Sequence, residues 1–313
     1  MTDTARAGAT TAPAVGRRSR KKVSAPTGTD RIPKPSQGWY RVKGTDLKLR
    51  RVTTILEQGC AKGDALTFWA GNLTAETAMT HLPRLVAASR TPEQRTEAYD
   101  WLRRAHVRKK DERGDVGKAV HKLIEAKVLG TPMPEELLDD EELAPFLDHF
   151  LRFLEEWQVT FEASEMVVGH EEEGYAGTLD YLLRSHLIAA ALSQHLKVEV
   201  PPDAVLMGDT KTGGELDVKG VYPEASLQMA AYRKAPVAWL RDGTKVPMPD
   251  TFWAGVVLHL RPEGYRLIPA VADDAVYDAF LTVKRNAEWN SGLSKTVIHP
   301  ALTLPTNNEE RAA

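Results

Sequence analysis

The sequence has only one cysteine, Cys60, among its 313 residues. One cysteine cannot form an internal disulfide, and it cannot supply the thiolates of a structural zinc site or an iron–sulfur cluster. No iron–sulfur cofactor is therefore expected, and the composition favours a reducing, cytoplasmic setting.

Long apolar runs are also missing. A helix needs about 18 consecutive apolar residues to cross a bilayer, and the longest apolar stretch, around Leu187 to Leu192, is much shorter. The N-terminus is rich in Thr, Ala and Arg and has no apolar signal core. The sequence thus predicts no membrane partner and no secretory signal.

The formal net charge is only −2, but the charges are unevenly distributed. Residues 41–130 hold 18 Lys and Arg against 11 Asp and Glu, a balance of +7, whereas residues 131–180 hold 1 against 15, a balance of −14. The basic block at residues 41–130 could bind a polyanion. The acidic block at residues 131–180 would repel a polyanion unless bound metal cations neutralise its charge. Solvated helix faces explain either block equally well when it is taken alone.

The two ends of the chain have the composition of tails. Residues 1–36 are predicted to be a disordered basic tail with the run Arg17-Arg18-Ser19-Arg20-Lys21-Lys22, which either touches nucleic acid phosphates or is solvated. Residues 306–313 are predicted to be a second tail. Between them, residues 37–305 are predicted to form one domain whose N-terminal part, about 37–112, is helical.

Apolar spacing predicts the secondary structure between the tails. Asp115 is predicted to cap the third helix, and Pro236 to break the fifth. The predicted helices are 65–88, 92–110, 115–129, 141–157, 223–239 and 273–290. The predicted strands are 165–170, 175–183, 204–210, 252–260 and 265–271. This order predicts an α/β fold with a mixed sheet of about five strands flanked by helices.

Asp209 and Lys211 lie two residues apart at the end of a predicted strand, so their side chains point to the same face. A carboxylate can hold Mg²⁺ or Mn²⁺, and a nearby ammonium can stabilise charge on a phosphate. Asp180 adds a second carboxylate within an otherwise apolar strand, where burial is costly unless the group is paired or bound to metal. Each feature alone also fits a solvated ion pair or an edge-strand aspartate.

Three further positions fit the same interpretation. His121 lies at the edge of an apolar helix face, where a histidine is either a core residue or a ligand for a transition ion. Glu125 is one turn further along the same stripe and is a possible additional site residue. Gln228 and Tyr232 share a helix face at i, i+4 spacing, where they either pack against the sheet or contact a substrate strand or orient Lys211.

These residues occur in four ordered motifs: Gly117-x-x-x-His121, Gly177-Thr178-x-Asp180, Gly208-Asp209-Thr210-Lys211 and Gln228-x-x-x-Tyr232. The set resembles the PD-(D/E)xK nuclease superfamily, and within it the RecB-type exonuclease branch that includes CRISPR adaptation nucleases and many phage exonucleases. The resemblance spans about residues 114–235. It implies a restriction-endonuclease-like sheet.

The resemblance also implies roles for individual residues. His121, Asp180, Asp209 and the main-chain carbonyl of Thr210 would hold one or two Mg²⁺ or Mn²⁺ ions. Lys211 would position or activate the attacking water, with Asp180, Asp209 and Lys211 as the catalytic set. Gln228 and Tyr232 would lie on the substrate side. The chain departs from the pattern in its 29-residue step from Asp180 to Asp209 (209 − 180) and in lacking the cysteines of iron–sulfur relatives.

The sequence therefore predicts a metal-dependent DNA nuclease. The resemblance favours an exonuclease acting in recombination, repair or phage DNA processing, in a bacterial or phage-infected cell. A recombination or single-strand-binding protein is a possible partner, and the oligomeric state stays open. Two alternatives stay open as well: a catalytically silent DNA-binding or partner-docking module on the same fold, and a metal-dependent enzyme acting on a small phosphoester.

Overall fold

The computed structural model describes residues 28–61, 63–217 and 220–303. Most of the predicted N-terminal tail, and all of the predicted C-terminal tail at 306–313, lie outside these residues. The predicted boundary at residue 36 is too late. A short 3-10 helix at Gly28–Arg31 and a strand beginning at Lys34 already fall within the range predicted as a tail.

The described residues form a ten-stranded sheet. Its strands are β1 (Lys34–Ser36), β2 (Trp39–Arg41), β3 (Lys48–Arg51), β4 (Thr160–His170), β5 (Tyr175–Arg184), β6 (Leu206–Lys211), β7 (Val237–Trp239), β8 (Lys245–Pro247), β9 (Ala254–Arg261) and β10 (Gly264–Val271). Parallel and antiparallel pairs are mixed, and the sheet is open.

The sheet forks at β5. One edge of β5 pairs with β4 along almost its whole length. The other edge pairs first with β3, in parallel, at Tyr175 and Ala176, and then with β6, antiparallel, from Tyr181 to Leu183. Residues 177–180 lie between these two partners. Beyond β6 the sheet continues through β9 to β10.

Helices cover the two faces of the sheet. They are α1 (Val52–Gly59), α2 (Ala65–Thr80), α3 (Leu82–Ala88), α4 (Pro92–Arg103), α5 (Ala105–Leu129), α6 (Glu135–Leu138), α7 (Ala144–Glu156), α8 (His186–Leu196), α9 (Glu224–Arg233) and α10 (Asp274–Ser291). Side chains of α1, α9 and α10 share one buried cluster with the sheet, and those of α5, α7 and α8 share a second. The result is a helix–sheet–helix sandwich.

The α/β class and the five predicted strands are confirmed, but the sheet has twice the predicted number of strands. Strands β2 and β3 fall in the part predicted to be helical, which is a correction to the 37–112 range, and β1 falls in the range predicted as a tail. Strand β7 lies where the predicted fifth helix was to end; α9 stops at Arg233, because a helix cannot continue through Pro236.

The helix boundaries show two more differences. The first predicted helix is divided at His81, just before Pro83, because proline cannot donate the helical hydrogen bond. Asp115 is not a helix cap: α5 begins ten residues earlier, at Ala105, and Asp115 pairs with Lys118 on its surface at 2.8 Å. The long step between Asp180 and Asp209 contains α8, capped by the Ser185 hydroxyl.

Helices α2 and α4 contact α5, and α3 packs against α2 and α4. Among residues 66–104 no side chain is buried, and several large apolar residues are exposed, including Phe68, Met79 and Tyr99. Within the described chain, no helix combines the length and apolarity that crossing a bilayer requires.

Candidate metal centre

The predicted site residues meet at the fork of the sheet. Asp180 is the last residue of β5 before its pairing with β6 begins, and Asp209 and Lys211 lie at the end of β6. The main-chain N–H of Thr210 donates to Oδ2 of Asp180 at 2.7 Å. A carboxylate therefore joins the two strands where they separate.

A glycine lets α9 approach β5 closely. A Cβ on Gly177 would lie only 2.2 Å from Cε1 of Tyr232, so the tyrosine ring occupies the space that any other residue would need. Tyr232 is buried there. Gly177 of the second motif and Tyr232 of the fourth motif therefore pack directly against each other.

A second glycine brings α5 to the end of β6. A Cβ on Gly117 would lie 3.0 Å from Oγ1 of Thr212. One turn further along α5, Nε2 of His121 lies 3.2 Å from the carbonyl oxygen of Thr210. A carbonyl oxygen can only accept a hydrogen bond, so Nε2 of His121 carries the proton in this contact. Nδ1, the other ring nitrogen, points away from the Thr210 carbonyl.

On that other side, His121 meets two carboxylates. Nδ1 lies 3.7 Å from Oδ2 of Asp180 and 4.0 Å from Oε1 of Glu165. One ligand atom from each of the three side chains lies within 4.8 Å of the others, so the group could hold a metal ion. Glu165 is a residue that the sequence interpretation missed.

Glu165 reaches this group through an unusual backbone conformation. Its φ is 49°, in the left-handed region that residues other than glycine rarely adopt. It lies on β4 between two residues that pair with β5, Ser164 opposite Tyr181 and Met166 opposite Leu179. This register places Glu165 across from Asp180.

Asp209 forms the other half of the site. Its side chain is buried and contacts Lys211, whose Nζ donates to Oδ1 at 2.8 Å. Nε2 of Gln228, on α9, donates to the same oxygen at 3.1 Å. Gln228 therefore orients Asp209, and through Asp209 it helps to fix Lys211.

The charges of the site act on one another. Burial raises the pKa of Asp209, and Asp180 adds to this, while the Lys211 ammonium opposes it. Burial alone would lower the pKa of His121, but Asp180 and Glu165 outweigh it and raise that pKa to about 9. Without a metal ion, the imidazole is therefore protonated at neutral pH and offsets part of the carboxylate charge.

The donor set fits a hard divalent cation. The ligand atoms come from two carboxylates, Glu165 and Asp180, and from the imidazole of His121. Carboxylate oxygens are the ligands that Mg²⁺ and Mn²⁺ prefer, and Mn²⁺ also accepts an imidazole. Both oxygens of the neighbouring Asp209 carboxylate face the Lys211 ammonium, at 2.8 Å and 2.7 Å.

Not every predicted residue belongs to this group. Asp209 lies outside the tight His121, Glu165 and Asp180 cluster, and the Thr210 carbonyl faces His121. Glu125 instead pairs with Arg241 at 3.2 Å. Tyr232 packs beneath the site and presents no substrate surface.

Scans against models of protein families and against curated proteins found no match for this chain. The resemblance to the PD-(D/E)xK superfamily therefore stays a prediction from the four motifs.

Proposed function

We propose that this chain is a divalent-metal-dependent nuclease that hydrolyses phosphodiester bonds in DNA. The observation that carries the proposal is the meeting of three carboxylates, one imidazole and one ammonium at the fork of the sheet. Metal-dependent phosphodiester hydrolysis uses a cation-binding carboxylate cluster, and a fixed positive charge beside it stabilises the charge that builds on the phosphate.

The metal ion in this proposal is Mg²⁺ or Mn²⁺. His121, Glu165 and Asp180 would hold it, and Asp209 would add a further carboxylate. When bound, such an ion neutralises phosphate charge and lowers the pKa of a water molecule.

Lys211 supplies the fixed positive charge. Burial by itself would lower the pKa of Lys211, but Asp209 and Asp180 outweigh it and raise that pKa, which keeps the amine protonated. The side chain is 37% exposed, so the ammonium can reach a bound phosphate. In this state it donates hydrogen bonds to a phosphate oxygen or to a water molecule, and it stabilises the negative charge that builds there.

DNA as the substrate rests on the family resemblance and on the basic block at residues 41–130. The same resemblance proposes exonuclease action in recombination, repair or phage DNA processing, and a recombination or single-strand-binding protein as a partner. The acidic block supports a metal-dependent reaction, because its carboxylates would otherwise repel a phosphate.

The test is digestion of end-labelled linear DNA, single- and double-stranded, beside a closed circle, with Mg²⁺ or Mn²⁺. The wild type should degrade the linear DNA and spare the circle. Lys211→Met and Asp180→Asn should lower the rate at least about a hundredfold, the effect of removing one preorganised electrostatic group. Glu125→Gln should keep the wild-type rate, because Glu125 pairs with Arg241.

Three outcomes would contradict the proposal. The first is equal metal-dependent cleavage by wild type, Lys211→Met and Asp180→Asn. The second is DNA binding without cleavage under either metal, which would indicate the silent module. The third is hydrolysis of a small phosphoester with none of DNA.

A further inference from the structure

Three cations lie in register across the N-terminal strands, on solvent-exposed side chains. Lys34 of β1 pairs with Arg41 of β2, and Arg41 pairs with Lys48 of β3. Register partners point to the same face of a sheet. We call Lys34, Arg41 and Lys48 the cation row.

The row faces solvent. On the next rung Tyr40 and Leu49 are each 2% exposed, because they point into the protein, so the cation row points away from it. All three cations are exposed. Trp39 lies on the cation side of β2, and Nζ of Lys48 lies 4.0 Å from the centre of its ring.

This arrangement costs stability by itself, since like charges directly opposite one another on a sheet repel. Arg41 and Lys48 form no ion pair with any carboxylate in residues 28–61, 63–217 and 220–303, and Lys34 reaches Asp30 only at 3.8 Å on the surface. A lysine on an edge strand can serve to block strand pairing, but that explains only Lys34, because β2 and β3 are paired on both edges.

We infer that the cation row binds the phosphate backbone of DNA, outside the metal centre. Strands are about 4.8 Å apart, so the row presents a positive charge at short, regular steps, as a run of phosphates on one strand requires. Residues 28–51 hold 7 Lys and Arg against 2 Asp and Glu, a balance of +5, and the run at 17–22 adds five cations to the sequence just before them.

The row is separate from the reacting groups. Arg50 of β3 pairs with Tyr175, and Asp180 lies five residues further along β5, or about 17 Å at 3.3 Å per residue. Contacts between the cation row and the DNA backbone would hold a part of the DNA that lies away from the cleaved bond. The choice of DNA as the polyanion rests on the proposed function, whereas the cation row itself does not.

The experiment measures equilibrium binding of fluorescently labelled single-stranded and duplex oligonucleotides in EDTA, over a series of KCl concentrations, with the full chain. The test variant is Arg41→Gln/Lys48→Gln. The matched control is Arg285→Gln/Lys295→Gln, which removes two exposed cations that lie outside the basic block at residues 41–130. Arg41→Lys/Lys48→Arg keeps both charges.

The double Gln variant of the row should bind at least about tenfold more weakly. For single strands its log–log salt slope should fall by about 1.4, which is two contacts at 0.7 each. Its thermal midpoint should stay the same or rise, since the repulsion is relieved. The control and the charge-keeping variant should retain the wild-type slope.

A wild-type slope in Arg41→Gln/Lys48→Gln would overturn the inference. So would equal losses in the control, which would indicate diffuse attraction, and so would a wild type that binds no DNA. The proposed function is contradicted by a different result, a wild type that binds DNA but does not cleave it with either metal. In that case the salt slopes of the wild type and Arg41→Gln/Lys48→Gln still test the cation row.

Discussion

Glu165 is the residue at which local structure and the proposed chemistry meet. Its left-handed backbone costs about 1 kcal/mol for a residue with a Cβ, yet it turns the carboxylate toward Asp180 and His121. Strain of this kind persists where the surrounding structure enforces it, and it clusters at functional sites. The β4–β5 hairpin provides that enforcement, because pairs on both sides of Glu165 are formed.

Replacing Glu165 with glycine separates the two effects. Glu165→Gly should stabilise the metal-free protein by up to about 1 kcal/mol, because glycine adopts this φ freely, while weakening Mg²⁺ or Mn²⁺ affinity at least about tenfold. Chemical denaturation in EDTA measures the first effect, and metal titration calorimetry measures the second.

Gln158 offers the matched control, since it has the same φ of 49° and is exposed. Gln158→Gly should give a similar gain in stability with unchanged metal affinity. If Glu165→Gly binds metal as tightly as the wild type, Glu165 is not a ligand.

At this scale, much of the site could be predicted from the sequence. His121, Asp180, Asp209 and Lys211 come together as expected, because their motifs fix which strand or helix end each occupies. Glu165 could have been found by counting. The predicted hairpin pairs His170 with Tyr175, and five residues back and five forward give Glu165 and Asp180. Its backbone conformation could not be read, since no local sequence signal marks a left-handed glutamate.

At the scale of elements, α5 connects the helical N-terminal part to the metal centre. Its 25 residues include two interior glycines, Gly114 and Gly117, each of which lowers helix stability relative to alanine. A Cβ on Gly114 would meet open space, whereas one on Gly117 would press on Thr212 beside the site. Gly117 therefore allows α5 to approach Thr212, whereas no close contact depends on the missing side chain of Gly114.

Alanine at each position tests this difference. Gly114→Ala should stabilise the protein by about 1 kcal/mol, the usual helix-propensity gain, and should leave metal affinity unchanged. Gly117→Ala should gain less, because Thr212 must move, and should weaken metal binding by displacing His121 from Thr210. Urea denaturation and metal titration of both variants measure these effects; matching results for the two would show that Gly117 does not set the approach of α5.

The elements that the sequence did not predict share a physical cause. Strands β1 to β3 are only three or four residues long, and each carries at least one Lys or Arg, so they offer too few apolar positions for a period of two to be recognised. Strand β7 pairs with β4 on one edge and with β8 on the other, and three residues are too few to signal either pairing in the sequence. Helix α5 passes through Gly114 and Asp115, which are signals of a helix start, because α2 and α4 pack against it.

At the scale of the whole molecule, the fork explains how one sheet serves two surfaces. The N-terminal strands take one end of the β5 edge and carry the cation row, and β6 takes the other end and carries Asp209 and Lys211. The gap between these partners leaves the β5 edge at residues 177–180, where Asp180 lies, next to neither strand.

The stability of the whole protein should depend on pH through this centre. The pKa of His121 in the folded, metal-free protein is about 9, against an ordinary value of 6.5. When the pKa of a group is higher in the folded protein than in the unfolded chain, its protonation stabilises the fold. This stabilisation is complete below the pKa of the unfolded chain and is lost as the pH rises through the pKa of the folded protein. In EDTA, the thermal midpoint should therefore fall between about pH 6.5 and pH 9, and His121→Gln should flatten that fall.

Bound Mg²⁺ should oppose this fall of the thermal midpoint with rising pH. At Mg²⁺ a hundredfold above its dissociation constant, binding to the folded state adds about 2.7 kcal/mol. This gain should be largest at high pH, because the ion and the His121 proton compete for the same carboxylates and imidazole. Thermal melts of wild type and His121→Gln across this pH range, in EDTA and in Mg²⁺, measure both effects. An identical pH slope in the two proteins in EDTA, or a Mg²⁺ gain that does not grow with pH, would show that His121 is not part of the cation site.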